Sequence, residues 1–222
     1  MPSPVSACSL ELGGGVRIGS PYHSGLMASP PRDPNAPQVN RSGMLVDIAE
    51  AVRRVDAASG SPVKVVAVDG HGGAGKSTLA LELSEMLGAG MIHTDDFASP
   101  GNPVHWWPQL IEEALEPITR GAPSISYVRS SWGPEHAPEP VRDQPVTPVM
   151  ILEGVTAARR EFRPYLAYAI WVDAPKDVCI ARGVDRDGEA MRDQWESWWR
   201  EEEAYIREHR PVEFADIVIS GV

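Results

Sequence analysis

The sequence predicts an α/β fold in which helices cover both faces of a parallel sheet. Three observations lead to this prediction. Short apolar, β-branched segments alternate with segments of helical periodicity along the chain. A glycine-rich loop joins one such strand to the helix that follows it, and acidic residues stand directly after two other strands. Open α/β sheets bind their ligands at the carboxyl ends of the strands, so we expect a functional site at that edge.

The pattern divides the chain into two parts. Residues 1–43 are rich in Pro, Gly and Ser and have no sustained period. We expect them to form a disordered extension, because such a segment cannot bury enough apolar area to offset its chain entropy. Residues 44–222 carry the periodic segments and form one predicted domain. Its first element is a helix that ends near residue 58, with apolar residues at helical spacing from Leu45 onward.

The first half of the predicted domain alternates strands and helices. A buried strand, Val63–Val68, leads into the glycine-rich loop, and the helix after the loop, Ser77–Leu87, is stopped by a glycine. Met91–Thr94 is a short strand. Trp106–Arg120 has the periodicity of an amphipathic helix, in which Pro117 should produce a kink because proline lacks an N–H.

The second half continues the alternation beyond a Pro-rich, irregular region at residues 122–148. In chain order we predict a strand at Ser124–Val128, a strand at Val149–Leu152, a helix at Ala157–Leu166, a strand at Tyr168–Val172, a helix starting at Lys176, a long helix at Glu189–Glu208 and a strand at Ile217–Ile219.

Composition and charge exclude several classes of function. The 222 residues carry a formal net charge of −11, which argues against binding nucleic acid over a broad surface. The sequence has no apolar run of membrane-span length and no features of a secretory signal. Cys8 and Cys179 are far apart, and no zinc-binding spacing occurs. We therefore expect a cytoplasmic protein without a nucleic-acid or membrane partner.

The segment Gly70–Ser77 matches the phosphate-loop pattern GxxxxGK[ST] at every fixed position. Its glycines let backbone N–H groups wrap around phosphates, and the N-terminus of the next helix adds a partial positive charge. Lys76 is expected to reach the β- and γ-phosphates of ATP, and the Ser77 hydroxyl to ligate Mg²⁺. We expect His71 on the loop surface. The predicted nucleotide-binding residues are Gly70, Gly72, Gly73, Ala74, Gly75, Lys76, Ser77 and Thr78.

Two strand ends supply acids for the acceptor and the metal. Asp95 and Asp96 come at the end of the strand Met91–Thr94. A carboxylate there can accept the proton of a substrate hydroxyl that attacks the γ-phosphate. We predict Asp95 for this role and expect Asp96 to point away, because side chains alternate at a strand end. Glu153 ends another strand and is predicted to hold Mg²⁺ directly or through water. A helix cap or a solvated turn is the alternative for the two aspartates, and a helix cap is the alternative for Glu153.

The charged stretch at residues 181–193 carries Arg182, Arg186 and Arg192 beside acids and two glycines. Mobile arginines that close over a transferring phosphoryl group stabilise the charge that develops on it, so we predict an arginine lid. The alternative is a solvated helix end with local ion pairs.

Three tryptophans share one face of the long helix that follows, at Trp195, Trp198 and Trp199. This spacing favours packing in the core or in a dimer over stacking on a substrate. The neighbouring acids at 201–203 are expected to be solvated.

Taken together, these motifs resemble the uridine kinase family over about residues 62–221, and look closest to its actinobacterial-type branch. The matching positions are Gly70–Ser77, Asp95 to Phe97, Tyr127, Glu153-Gly154, Arg182 with Arg186-Asp187, and Ala215-Asp216 before the last strand. The resemblance implies a P-loop NTPase three-layer sandwich with a five-stranded parallel sheet of order 2-3-1-4-5. It further implies that Asp95 is the catalytic base, that Ser77, Asp95 and Glu153 surround Mg²⁺, and that Arg182, Arg186 and Arg192 form the lid.

Two positions depart from the family pattern. Ala98 replaces the tyrosine that follows Asp-x-Phe, and Val128 replaces the aspartate after the hairpin tyrosine. A polar contact to a nucleoside is therefore lost, while the phosphate-binding positions are intact. The candidate substrate-binding residues are Asp96, Phe97, Tyr127, Arg129 and Arg192.

The predicted function is ATP-dependent transfer of the γ-phosphate, with Mg²⁺, to a hydroxyl of a nucleoside or similar small molecule. The predicted catalytic residues are Asp95, Lys76, Arg182 and Arg186. Another acceptor, such as a nucleoside monophosphate or an antibiotic hydroxyl, stays open, since Arg129 beside Tyr127 could clamp a phosphate. A non-catalytic nucleotide-binding protein is a further alternative, although such a protein needs no base. The sequence also leaves open whether the protein assembles into a homo-oligomer.

Overall fold

The computed structural model describes residues 41–58, 60–99, 106–130 and 139–221. The predicted extension thus lies outside the described residues, apart from positions 41–43, which begin the first helix. Whether it is disordered stays a prediction.

The described residues form seven strands, five of which build the central sheet. In chain order they are β1 (Lys64–Gly70), β2 (Gly90–His93), β3 (Ser124–Arg129), β4 (Glu139–Pro145), β5 (Val149–Glu153), β6 (Leu166–Asp173) and β7 (Ile217–Ser220). The central sheet has the order β2-β5-β1-β6-β7, and all its neighbours are parallel. Counting only its own strands, this is the order 2-3-1-4-5, so the predicted topology is confirmed. Strands β3 and β4 form a separate antiparallel hairpin.

The helices lie between the strands and around the sheet. They are α1 (Arg41–Arg54), α2 (Lys76–Leu87), α3 (Trp107–Leu110), α4 (Glu116–Thr119), α5 (Lys176–Asp187), α6 (Arg192–His209) and α7 (Pro211–Phe214). A π turn at Ile111–Leu115 joins α3 to α4, and 3₁₀ turns occur at Thr94–Asp96, Arg163–Tyr165 and Glu189–Met191. No helix in the described ranges is long and apolar enough to cross a membrane.

Two apolar cores, one on each face of the sheet, produce the three layers. Because side chains alternate along a strand, Val66 and Val68 of β1 pack with α1 and α2, whereas Val65 and Ala67 face the opposite side. There they pack with residues such as Leu110 from the α3–α4 segment. The layered architecture is therefore set by near-continuous apolar strands, as expected for a parallel sheet covered on both faces.

Several element boundaries differ from the sequence predictions. Helix α1 ends at Arg54 rather than near residue 58. At this end of the helix, the ammonium of Lys64 donates to two of the last helix carbonyls. Near Pro117, where a kink was predicted, the helix contains the π turn, which immediately precedes α4 and is a feature that commonly accompanies helix kinks.

The helix predicted at Ala157–Leu166 is wrong. The chain forms turns there, and only Arg163–Tyr165 forms a 3₁₀ turn. Within the predicted span, the N–H of Ala158 donates to the buried carboxylate of Asp69 and that of Arg160 to His209, while others form only single turns, such as that of Phe162 to the carbonyl of Arg159. Pro164 removes a further donor.

Two segments contain more regular structure than the sequence indicated. Strand β4 was missed in the Pro-rich region. The stretch predicted as a lid is mostly helical, because α5 continues to Asp187, and Gly188 (φ 97°) then turns the chain toward α6. Arg182 and Arg186 therefore lie on a helix, while Arg192 begins the next one.

Candidate active site

The phosphate loop connects β1 to α2 at the carboxyl edge of the sheet. Gly73 (φ 77°) and Gly75 (φ 103°) both adopt left-handed backbone conformations that a residue with a Cβ rarely takes. Helix α2 begins at Lys76, whose ammonium is buried and donates to the carbonyl of His71 over 2.8 Å. The loop thus closes on itself, with the lysine folded over it.

Glu153 stands at the tip of β5, next to the start of α2. The Ser77 hydroxyl donates to its Oε1 over 2.9 Å, and Nδ1 of His93 lies 2.9 Å from its Oε2. Burial acts to raise the pKa of Glu153, but the contacts with His93, Lys76 and Ser77 outweigh it and lower the pKa. The same hydrogen bond to Glu153 raises the pKa of His93.

His93 was not identified from the sequence, although a signal existed. It is the last residue of β2, and its register partner on the neighbouring strand is Glu153. Given the order of the strands, the alignment of two strand tips would have placed this imidazole beside the predicted metal-binding acid.

These oxygen atoms fit a magnesium ion. The Ser77 hydroxyl and the Glu153 carboxylate are hard oxygen donors that lie within one hydrogen-bond length of each other. The described part of the chain holds no group of three or more His, Cys, Asp or Glu that could bind a metal by themselves. Mg²⁺ does not need such a cage, since it keeps several waters and takes one or two protein ligands beside substrate phosphates.

Asp95 and Asp96 diverge within the 3₁₀ turn that follows β2. The side chain of Asp95 is exposed, and the charges that act on it belong to Lys76, Glu153, His93 and Arg186. Partial desolvation raises the pKa of Asp95, and the positive charge of Lys76 opposes that rise. Asp95 therefore belongs to the same electrostatic environment as the phosphate loop.

Asp96 contacts the hairpin instead. Its carboxylate accepts a hydrogen bond of 2.8 Å from the Tyr127 hydroxyl, and one of its oxygens lies 3.1 Å from Nε of Arg129. Its carbonyl accepts from the Ser130 backbone over 2.6 Å. Phe97, next in the chain, is fully buried and stacks on Tyr127 with 4.7 Å between the ring centroids. Phe97 thus supports the hairpin from the core, and its role in binding a substrate stays a prediction.

The three predicted lid arginines lie in different surroundings. Arg182 donates from Nη1 to the carbonyls of Gly73 and Gly221, over 3.2 and 3.0 Å, so it touches the phosphate loop. Arg186 makes two bonds to Asp187, of 2.7 and 3.0 Å, and its charge acts on Asp95. Arg192 pairs with Glu189 at the surface, and the charges that act on it belong to Glu189, Glu196 and Asp185.

Two expectations about the loop and the long helix are wrong. His71 is buried rather than on the loop surface, because α6 crosses the loop and stacks Trp199 on the imidazole, with 3.7 Å between the ring centroids. Two of the acids expected to be solvated, Glu202 and Glu203, contact its ring nitrogens. Trp195 is buried against α5, in agreement with the predicted packing role of the tryptophans.

Asp69, which ends the apolar part of β1, is a second residue that the sequence did not single out. It is fully buried and accepts from the Tyr205 hydroxyl of α6 over 2.5 Å and from the Gly70 backbone over 2.7 Å. Burial raises its pKa, against these hydrogen bonds. Asp69 thereby connects the start of the phosphate loop to α6 and to the turns after β5.

The solved structures that are similar to this fold include two kinases. One is a possible uridine kinase from Bacillus stearothermophilus, with a TM-score of 0.59 and 19% sequence identity over 80% of this chain and 98% of that one. The other is a candidate fructose transport system kinase from Silicibacter sp. TM1040, with a TM-score of 0.52 and 18% identity over 77% of this chain and 94% of that one. The chain matches no protein-family model and no curated protein. At this identity the likeness shows the fold alone, which is a three-layer α/β fold.

Proposed function

We propose that the protein is an ATP-dependent phosphotransferase that moves the γ-phosphate to a hydroxyl of a nucleoside or similar small molecule in the cytoplasm. The observation that carries this proposal is the position of Asp95. A carboxylate with solvent access shares the electrostatic environment of Lys76 and Glu153 at the phosphate loop, where an acceptor would meet the nucleotide. A protein that only bound nucleotide would need no such base.

In the proposed reaction, the acceptor oxygen attacks the γ-phosphorus while the bond to the β–γ bridging oxygen breaks and ADP leaves. Asp95 accepts the proton of the attacking hydroxyl, which makes the oxygen a better nucleophile as the new bond forms. Backbone N–H groups of the loop and the ammonium of Lys76 bind the phosphates, after Lys76 leaves the carbonyl of His71. Arg182 and Arg186 stabilise negative charge on the transferring group.

A bound Mg²⁺ would neutralise charge on the β- and γ-phosphates. Ser77 and Glu153 are the residues proposed to hold it, with Asp95 nearby. His93 contacts the second oxygen of Glu153 and so fixes the orientation of that carboxylate.

The hairpin contacts favour a hydroxyl acceptor over a nucleoside monophosphate. A monophosphate needs an available cationic clamp. Arg129, the candidate for that clamp, is paired with Asp96, which also accepts from Tyr127. The two similar structures are named for uridine and fructose, both of which carry hydroxyl groups, so both compounds belong in the first set of acceptors to be tested.

A phosphate-transfer screen tests the proposal. The protein is incubated with Mg-ATP and separate nucleosides, sugars, nucleoside monophosphates and aminoglycoside alcohols, and products are identified by mass spectrometry. We expect a phosphorylated alcohol with the parent protein and none with Lys76→Ala. A product formed only from monophosphates would favour the second kind of kinase. ATP binding without any product in the panel would favour the nucleotide-binding protein.

A further inference from the structure

Helix α6 contacts the phosphate loop through a buried histidine. The imidazole of His71, the second residue of the loop, stacks on Trp199 with ring planes 13° apart. Its Nδ1 lies 2.8 Å from Oε2 of Glu202, and its Nε2 lies 3.1 Å from Oε1 of Glu203. Two ring nitrogens and one ring face of a loop side chain are thus occupied by three residues of one helix.

Glu202 also contacts the loop backbone. The same oxygen that meets the imidazole accepts a hydrogen bond of 3.2 Å from the N–H of Gly72. Its side chain is 14% exposed, against 42% for that of Glu203, so it is the more enclosed of the two acids. The backbone carbonyl of His71 in turn accepts a hydrogen bond of 2.8 Å from the ammonium of Lys76.

We propose that His71 is a positioning residue through which Glu202 of α6 fixes the backbone of the phosphate loop and the starting position of Lys76. This proposal rests on the proposed function only in taking Gly70–Ser77 as the ATP-binding loop. His71 itself need not touch the nucleotide.

The composition of the loop explains why an anchor is useful. Gly72, Gly73 and Gly75 permit the backbone conformations that a phosphate cradle requires, but glycine has more conformational freedom to lose than any other residue. A loop that is disordered before ATP binds must be ordered at the moment of binding, which weakens the observed affinity. Glu202 holds the loop at two successive positions, and thereby supplies part of that order in advance.

Four variants of the full chain test the anchor, with Mg-ATP binding measured by titration calorimetry in the absence of any acceptor. Glu202→Ala removes both contacts, so we expect the dissociation constant for ATP to rise about tenfold, as for the loss of preorganisation in a binding loop. Glu202→Gln keeps an oxygen that can accept from the N–H of Gly72 and a polar group that can contact Nδ1 of His71, so it should retain affinity within about threefold of the parent. Glu203→Ala is the matched control on the same helix, and we expect a change of less than about threefold because its contact is more exposed.

His71→Phe is the fourth variant. It keeps an aromatic ring against Trp199 and removes both ring nitrogens, so it should weaken ATP binding, as Glu202→Ala does. This variant therefore tests the anchor even if Glu202→Ala does not fold. In active preparations, the KM for ATP should rise while the KM for the acceptor changes by less than about twofold, a separation that general loss of stability would not produce.

The proposal is overturned if folded Glu202→Ala binds ATP as well as the parent does, or more tightly. The Glu202 carboxylate would then contribute nothing to ATP binding or would only repel the phosphates. Equal losses in Glu202→Ala and Glu203→Ala would also overturn it. The result is separable from the proposed reaction. If no acceptor is ever phosphorylated but the variants lose ATP affinity as expected, the anchor stands and the phosphotransferase proposal fails.

Discussion

The hydroxyl of Tyr127 donates a hydrogen bond of 2.8 Å to the carboxylate of Asp96. This contact assigns different surroundings to two consecutive acids. Asp96 belongs to the hairpin, together with Arg129, whereas the charges that act on Asp95 come from the phosphate loop and its neighbours. The 3₁₀ turn at the end of β2 separates the two side chains, so that one acid can act on a substrate while the other holds the β3–β4 hairpin.

Substitution of the two acids should therefore have different kinetic effects. Asp95→Asn keeps the size of the side chain and removes its ability to accept a proton, so kcat should fall by roughly 10²–10⁴-fold while acceptor binding persists. Asp96→Asn should leave kcat within about tenfold of the parent and raise the KM for the acceptor, because it weakens the attachment of the hairpin. Steady-state kinetics with one acceptor distinguishes them. If Asp96→Asn loses turnover and Asp95→Asn does not, the base has been assigned to the wrong acid.

Replacement of Lys76 should abolish phosphate transfer. Lys76→Ala removes the ammonium that is expected to bind the β- and γ-phosphates, and kcat/KM should fall by at least about 10³-fold, in the range found for charge-stabilising groups in transfer reactions. ATP affinity, measured by calorimetry, should also weaken. Turnover close to that of the parent would rule out Gly70–Ser77 as the phosphate site.

Among the arginines, Arg186 should matter for turnover and Arg192 should not. Arg186→Ala should lower kcat by about 10²-fold with a smaller change in the KM for ATP, because it removes positive charge near the reacting groups. Arg192 forms an exposed pair with Glu189, and such solvent-screened pairs contribute little, so Arg192→Ala is a matched control with near-parental kinetics. A rise in KM alone for Arg186→Ala would assign this arginine to ground-state binding.

Acidification should destabilise the protein through His209. This residue is buried at the end of α6, and its Nδ1 accepts a hydrogen bond from the Arg160 backbone over 3.2 Å. Burial lowers its pKa from the ordinary value of 6.5, so the unfolded chain binds this proton more readily than the folded one. The contribution of His209 to stability is then present above pH 6.5 and is lost as pH falls through its lower folded pKa.

The measurement is a series of melting temperatures between neutral and mildly acidic pH. His209→Gln, which keeps a hydrogen-bonding side chain without this titration, should show a smaller decrease on acidification than the parent. An equal decrease in both proteins would assign the acid sensitivity to other groups.

Removal of residues 1–43 should leave activity intact and lower the melting temperature by only a few degrees. The cut removes Arg41, whose guanidinium pairs with Glu82 of α2 at 2.9 Å. That pair is exposed and worth about 0–1 kcal/mol. A chain that begins at Arg41 is the control, since it keeps the pair and the whole of α1. Loss of solubility or activity in both truncated chains would show that the removed segment folds onto the domain.

The sheet was predictable because each of its strands is a short apolar run with a recognisable end. Strand β4 was not, since Glu139–Pro145 contains two prolines and several charged or polar residues. It pairs only with β3, and pairing in such a hairpin depends on a partner strand rather than on an apolar pattern of its own. The false helix after β5 arose from a similar limit, because two of its N–H groups, those of Ala158 and Arg160, bond to Asp69 and His209, which are far away in the sequence.

In the site, local motifs located the residues and distant contacts modified their surroundings. Asp95 could be chosen from its place after β2, and its role as a base stays a prediction. Nothing near His71 in the sequence shows that Glu202, 131 residues later, meets its ring. Such a contact depends on how α6 crosses the loop, which helical periodicity alone cannot determine.

The stacking of Trp199 on His71 gives the protein a built-in optical reporter. An indole held against an imidazole has its fluorescence altered by that neighbour, so any movement between α6 and the phosphate loop should change the emission. The protein has seven tryptophans, and the signal from this one can be isolated as the difference between the parent and Trp199→Phe. Stopped-flow mixing with ATP would then time the response of the loop directly, without a label and without knowledge of the acceptor.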